Sequence, residues 1–149
     1  MSRRYSIYDD VTAAANQSIV GLIGATTQQA HIYELVVGSS ATPADQAVTY
    51  RMATSTAIAG TSVSRTPIPL EIGGTASGTQ GRISYTAEPT YTTDALLKFS
   101  LNQQATFRWV TASDEGIVMS ANATAGVGVQ VVSLTGGSPT VGANIHFAE

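Results

Sequence analysis

The sequence predicts an all-β chain: an antiparallel β-sandwich, jelly-roll-like, with a short N-terminal arm. Three observations predict it. Apolar and polar residues alternate with a period of two along most of the chain, the pattern of strands with one buried face. The alternating runs are punctuated at nearly regular intervals by clusters rich in Gly, Pro, Ser and Asp, which are turn formers. Thr and Val fill the positions where a helix would want unbranched side chains.

Residues 1–16 read as the arm. Arg3, Arg4, Tyr5 and Tyr8 are a mixture suited to anchoring on another chain, and 10–16 could form one short helical turn behind an N-cap at Asp10. A single sandwich domain is expected over 17–149, since about 100–200 residues make one domain with a real core. Its first strand is expected around Ile19, Val20, Leu22 and Ile23. From His31 to Val37, His31, Tyr33, Leu35 and Val37 alternate with Ile32, Glu34 and Val36. Val48, Tyr50 and Met52 alternate with Thr49, Arg51 and Ala53. The stretch from Gly60 to Gly81 is the least regular. Pro67 and Pro69 cannot donate to a ladder, which places it at a sheet edge or in a crossing loop. Further strands are expected at 82–85, 95–101, 105–110, 117–119, 127–134 and 144–147. No repeat of 20–50 residues marks a propeller or solenoid.

Charge is scarce. Asp, Glu, Lys and Arg make up 11% of the chain, against about 25% in an ordinary soluble domain; 20 Thr, 21 Ala and 15 Ser occupy the space instead. The formal charge is −3 and the basic residues are scattered, so no cluster is available to neutralise phosphates and nucleic-acid binding is not expected. Zero cysteines exclude disulfides, thiolate metal sites and a Cys nucleophile. No apolar run approaches the ~18 residues of a membrane helix, and no h-region follows Arg3-Arg4 to make a signal peptide.

The residues offer little chemistry. No P-loop, dinucleotide fingerprint, nucleophile elbow or EF-hand loop is present, so no cofactor, metal or small-molecule substrate is expected. His31 and Glu34, three apart in a strand, should sit on opposite faces, which denies them a shared metal site. His146, between Ile145 and Phe147, should face outward. Asp114-Glu115-Gly116 reads as a hairpin turn. In Thr106–Val110, Phe107 and Trp109 share one strand face and are expected to anchor the core; Arg108 points the other way, to solvent or a partner.

Several segments carry a resemblance. Arg4-Tyr5-Ser6-Ile7-Tyr8, the run from Ile32 to Asp45, Thr66-Pro67-Ile68-Pro69-Leu70, Thr86–Tyr91 and Leu101–Trp109 together resemble the bacteriophage head decoration (cement) proteins. The resemblance implies a non-enzymatic β-sandwich that binds the outside of an assembled phage head, commonly as a homotrimer, with the major capsid protein as its partner. It implies a protein made in the host cytoplasm and carried on the capsid exterior. Arg3, Arg4, Tyr5, Tyr8 and Arg108 are the expected interface residues.

Two other classes compete. A tail, fibre or lectin-like binding module would present exposed aromatics, with Tyr33, Tyr50, Tyr85 and Tyr91 as candidates. An enzyme would bring acids together across a cleft, such as Glu88 and Asp94 with either histidine. Low charge weighs towards assembly, because edge strands with few charged residues need closure or subunit contacts to shield them.

Overall fold

In the computed structural model, which describes residues 2–57, 61–124 and 126–149, the chain forms β1 (Arg4–Thr12), β2 (Gln17–Ile23), β3 (Ala30–Ala41), β4 (Ala47–Ala57), β5 (Val63–Arg65), β6 (Ile68–Pro69), β7 (Gln80–Ile83), β8 (Thr90–Asn102), β9 (Phe107–Val110), β10 (Ile117–Met119), β11 (Gly126–Leu134) and β12 (Thr140–Ala148). All their pairings are antiparallel, and they make two six-stranded sheets. The first sheet runs β3-β12-β1-β6, with β9 and β10 end to end along the outer edge of β3. The second runs β5-β7-β2-β11-β4-β8.

The sheets pack face to face as a β-sandwich. Tyr5, Ile7, Leu35, Val37, Ile145 and Phe147 from the first sheet meet Val20, Leu22, Tyr50, Met52, Val129 and Val131 from the second, all buried. Burying such side chains contributes about 1.5–3 kcal/mol each, the main force holding the sheets together. Tyr5 stacks on Phe147 with ring centroids 5.5 Å apart.

The two long sides of the sandwich close differently. Along β1, Asp9 accepts the Ser84 N–H (3.1 Å) and lies 3.9 Å from Arg65, which also donates to the Tyr8 carbonyl at 2.9 Å. Here Gly81 leaves room for Ile7, whose Cδ1 would lie 1.8 Å from any Cβ placed on it. Along β8 and β9 closure is aromatic: Phe99 stacks on Phe107 at 3.7 Å and touches Tyr50 at 5.6 Å. Phe107 and Trp109 do share an inward face, as expected, but on an edge strand, so both are half-buried rather than central.

Three expectations are corrected. Residues 4–12 are not an arm but a full strand, paired with β12 from Arg4↔Ala148 to Thr12↔Thr140 and with β6 on its other side; the paired Asp9-Asp10 hid an alternation of Tyr5, Ile7 and Val11. No helical turn follows it, since 13–16 is a tight turn with Asn16 at φ 60°. Asp114-Glu115-Gly116 does not close a hairpin, because β9 and β10 pair with β3 rather than with each other. The loop is a detour from one edge segment to the next. Gly116 brings the chain back, where a Cβ would meet the Ile32 carbonyl oxygen at 1.8 Å. The 60–81 stretch is both things foreseen: β5 edges one sheet, β6 edges the other, and the chain crosses between them. Gly60 itself lies outside the described residues.

Candidate functional site

The outer face of the first sheet is laid out by strand register. One row reads Ile68, Ser6, His146, Glu34, Val110. The next reads Arg4, Ala148, His31, Val118. Leu70 extends it, donating its N–H to the Arg4 carbonyl (2.8 Å) and lining one cleft with Arg4. A third reads Tyr8, Asn144, Val36, Arg108. Among the described residues eight large hydrophobic side chains are exposed, and five of them, Tyr8, Ile68, Leu70, Val110 and Val118, lie on this face. Ile68 is 69% accessible and Val110 53%. The first two rows therefore end in apolar side chains, Ile68 and Val110 in one and Leu70 and Val118 in the other, whereas the third runs from Tyr8 to Arg108.

That middle is organised around Glu34. Its Oε1 accepts from Arg108 Nε at 2.6 Å and its Oε2 lies 2.8 Å from His146 Nδ1. The hydrogen bond with His146, then that with Arg108, holds the Glu34 carboxyl below the usual carboxylate range. Tyr33 leans on the His146 ring at 6.1 Å, and burial pushes its phenol up. Ser6 Oγ bonds Asn144 Oδ1 at 2.9 Å. Tyr8 lies over Gly142, where a Cβ would be 2.5 Å from the phenol oxygen; burial and then Asp10 raise its pKa.

His31 and Glu34 were expected on opposite faces, and they share one. The register between β12 and β3 slips at His146/Phe147, which pair with Glu34 and Ile32. Tyr33 is the extra residue of this β-bulge, and one inserted residue shifts the alternation beyond it. Among the described residues His31 Nδ1, which is buried, has no hydrogen-bond partner. His146 faces outward as expected.

Of the expected interface residues, Arg4, Tyr8 and Arg108 lie on this face, Arg4 and Tyr8 on β1 and Arg108 across β12 and β3 on β9. Arg3 is exposed at its corner, exchanging backbone hydrogen bonds with Glu149 (2.9 Å each way). Tyr5 is corrected: it points into the core, 1% accessible, because it alternates with Arg4 on a paired strand. Sequence reasoning missed Ile68, Leu70, Val110 and Val118; short runs between prolines and turns gave no periodicity that could assign them a face. On the free edge of β6, Pro67 and Pro69 carry no N–H, so strand addition there is blocked and contact falls to side chains.

The outer face of the second sheet is covered by its own chain over β2 and β11, while Lys98 and Ser100 on β8 are exposed. Ser18, wholly buried, donates its N–H to Glu88 at 2.8 Å, bonds Glu88 through its hydroxyl, and lies 2.6 Å from the Tyr91 hydroxyl. Tyr85 lies over Gly21 and Tyr91 over Gly128, two glycines opposite each other in β2 and β11. Burial pushes the Tyr91 phenol up to about 12 and that of Tyr85 further. Arg51 sits 5.3 Å from the Tyr91 ring and donates to Gln130. Of the tyrosines considered for sugar recognition, Tyr50 is in the core, Tyr33 is buried, and Tyr85 and Tyr91 are held against glycines. Glu88 is tied to the second sheet, whereas both histidines are on the first, so the acids and histidines weighed for catalysis do not converge. Among the described residues no group of three or more His, Cys, Asp or Glu could hold a metal ion, and no helix is long and apolar enough to cross a membrane.

No protein-family model matches the chain, and neither a curated protein nor a solved structure does.

Proposed function

We propose that this chain is a virion structural protein of the decoration type. It binds the outer surface of a phage head as an oligomer, a homotrimer in the favoured form, and stabilises contacts between major capsid protein subunits. The observation that carries the reading is the outer face of the first sheet, where five exposed hydrophobic side chains surround the Glu34 carboxylate paired with Arg108 and His146. Five of the eight large hydrophobic side chains exposed among the described residues gather on this one face, a bias expected of an interaction surface, and an ion-paired centre costs less to desolvate than unpaired charges. The resemblance of the sequence to head decoration proteins supports the same reading. Several copies acting together would combine modest contacts through effective concentration.

The test is co-sedimentation with purified phage heads. The wild-type chain is expected to pellet with the heads, and Ile68→Asp and Val110→Asp to stay in the supernatant with melting temperatures close to wild type. Heads that never retain the wild-type chain would refute the reading.

A second reading has one observation in its favour. Tyr8 is an exposed aromatic beside Ser6, Asn144 and Asp10, a platform of the kind that carries sugar rings. On that reading the chain is a fibre or lectin-like module. Glycan-array binding that Tyr8→Ala abolishes, with no attachment to heads, would select it.

A further inference from the structure

At the corner where β12 ends, the Glu149 side chain turns into the segment that joins β6 to β7. Its Oε1 accepts the Thr79 N–H at 2.7 Å and lies 2.8 Å from the Ser77 hydroxyl. Its Oε2 accepts the Gln28 amide at 2.6 Å and the Gly78 N–H at 3.1 Å. The Ser77 hydroxyl is also 2.9 Å from the Thr79 carbonyl, so its one proton is divided between two acceptors. Arg3 lines the same cleft, and Glu149 is the one acid in its lining. Thr79 is wholly buried, which fixes the direction of its N–H.

The successive N–H groups of Gly78 and Thr79 both reach one carboxylate, and hydrogen bonds to an ionised acceptor are about twice as strong as neutral ones. Gln28 comes from the β2–β3 loop, so the donors converge from two separate segments on one carboxylate. This arrangement is complete without a protein carboxylate in particular: any small oxyanion of similar shape meets the same donors.

We propose that Ser77, Gly78, Thr79 and Gln28 form an oxyanion-binding cradle for a carboxylate or phosphate-type group, which the chain fills with its own Glu149. Filled in this way, the cradle latches the 75–79 segment to the ends of both sheets. With Glu149 removed, a free carboxylate takes its place.

Amide hydrogen exchange at Gly78 and Thr79 reads the cradle directly. In the wild-type chain both amides are expected to be protected. In Glu149→Ala they should exchange roughly tenfold faster, the equivalent of one charge-assisted hydrogen bond. Sodium acetate or formate should restore protection in that variant, and sodium chloride at equal ionic strength should not. Phosphate as a further arm tells whether the cradle takes tetrahedral anions as well as carboxylates. Gln28→Ala, which keeps Glu149, should speed exchange at Gly78 by a smaller factor, and it carries the test if Glu149→Ala does not fold. Unchanged exchange in Glu149→Ala, unchanged exchange in Gln28→Ala, or faster exchange that neither acetate, formate nor phosphate reverses, would overturn the proposal.

Discussion

The two outer faces of the sandwich are treated in opposite ways. The face of the second sheet is roofed over β2 and β11 by residues 84–91, with Tyr85 and Tyr91 laid over Gly21 and Gly128 and Glu88 pinned to Ser18. The face of the first sheet is bare, with Ile68, Leu70, Val110 and Val118 at its rims. Both are built from the same low-charge composition, so composition alone did not decide which would be covered. The chain's own loop serves one face and leaves the other open to solvent, and under the proposed function that open face is the docking surface. The difference teaches where to cut: damage to the roofed face should appear as lost stability, damage to the bare face as lost assembly.

The largest expected effect is on the roof. Tyr91→Ala removes a mostly buried aromatic and should cost about 3 kcal/mol in denaturant unfolding, at the lower end for core aromatics. Gly128→Ala strikes the same contact from below, since its Cβ would lie 2.2 Å from the Tyr91 hydroxyl; overpacking of this kind costs about 1–3 kcal/mol, eased to the extent that the ring can swing away. Tyr91→Phe keeps the ring and loses only the hydrogen bond to Ser18, which should cost about 1 kcal/mol.

A pH experiment probes the bare face. Because its two partners lower the folded-state pKa of Glu34, Glu34 contributes stability that is fully present above the ordinary glutamate value of about 4.3. That stability is lost as pH falls through the lowered folded value. Glu34→Gln should therefore be less stable than wild type at neutral pH, with the gap narrowing on acidification below about pH 4. Melting curves collected from pH 7 to pH 3 check it, and a gap that stays constant would remove the carboxylate from the account. The smallest stability effect is expected from Ile68→Asp, within about 0.5 kcal/mol because the side chain is exposed, despite its full effect on docking.

Much of the sandwich could be read from period-two alternation: β3, β4, β11 and β12 lie where their patterns put them. The edge role of Pro67 and Pro69 followed from the missing N–H. What escaped had physical causes. β1 reads as an arm because Asp9-Asp10 interrupts the alternation; the structure uses Asp9 to close the sandwich side against Arg65 and Ser84. The face shared by His31 and Glu34 depends on a bulge at Tyr33, which no spacing rule reveals. Gln103, wholly buried, accepts the Ala44 N–H and donates to the Gly136 carbonyl, joining three loops; a lone Gln in a polar run gives no sign of such a role. Of the outer face of the first sheet, Arg4, Tyr8 and Arg108 were legible because charged and aromatic residues stand out in so plain a composition. The aliphatic rim was not, because an exposed Ile or Val in a strand of two to four residues looks the same as a buried one.

The proposed function requires an assembly of several chains rather than a free monomer. Native mass spectrometry of the whole chain at micromolar concentration tests it most directly. A homotrimer is predicted at neutral pH; a protein that remains monomeric over the whole micromolar range would contradict it.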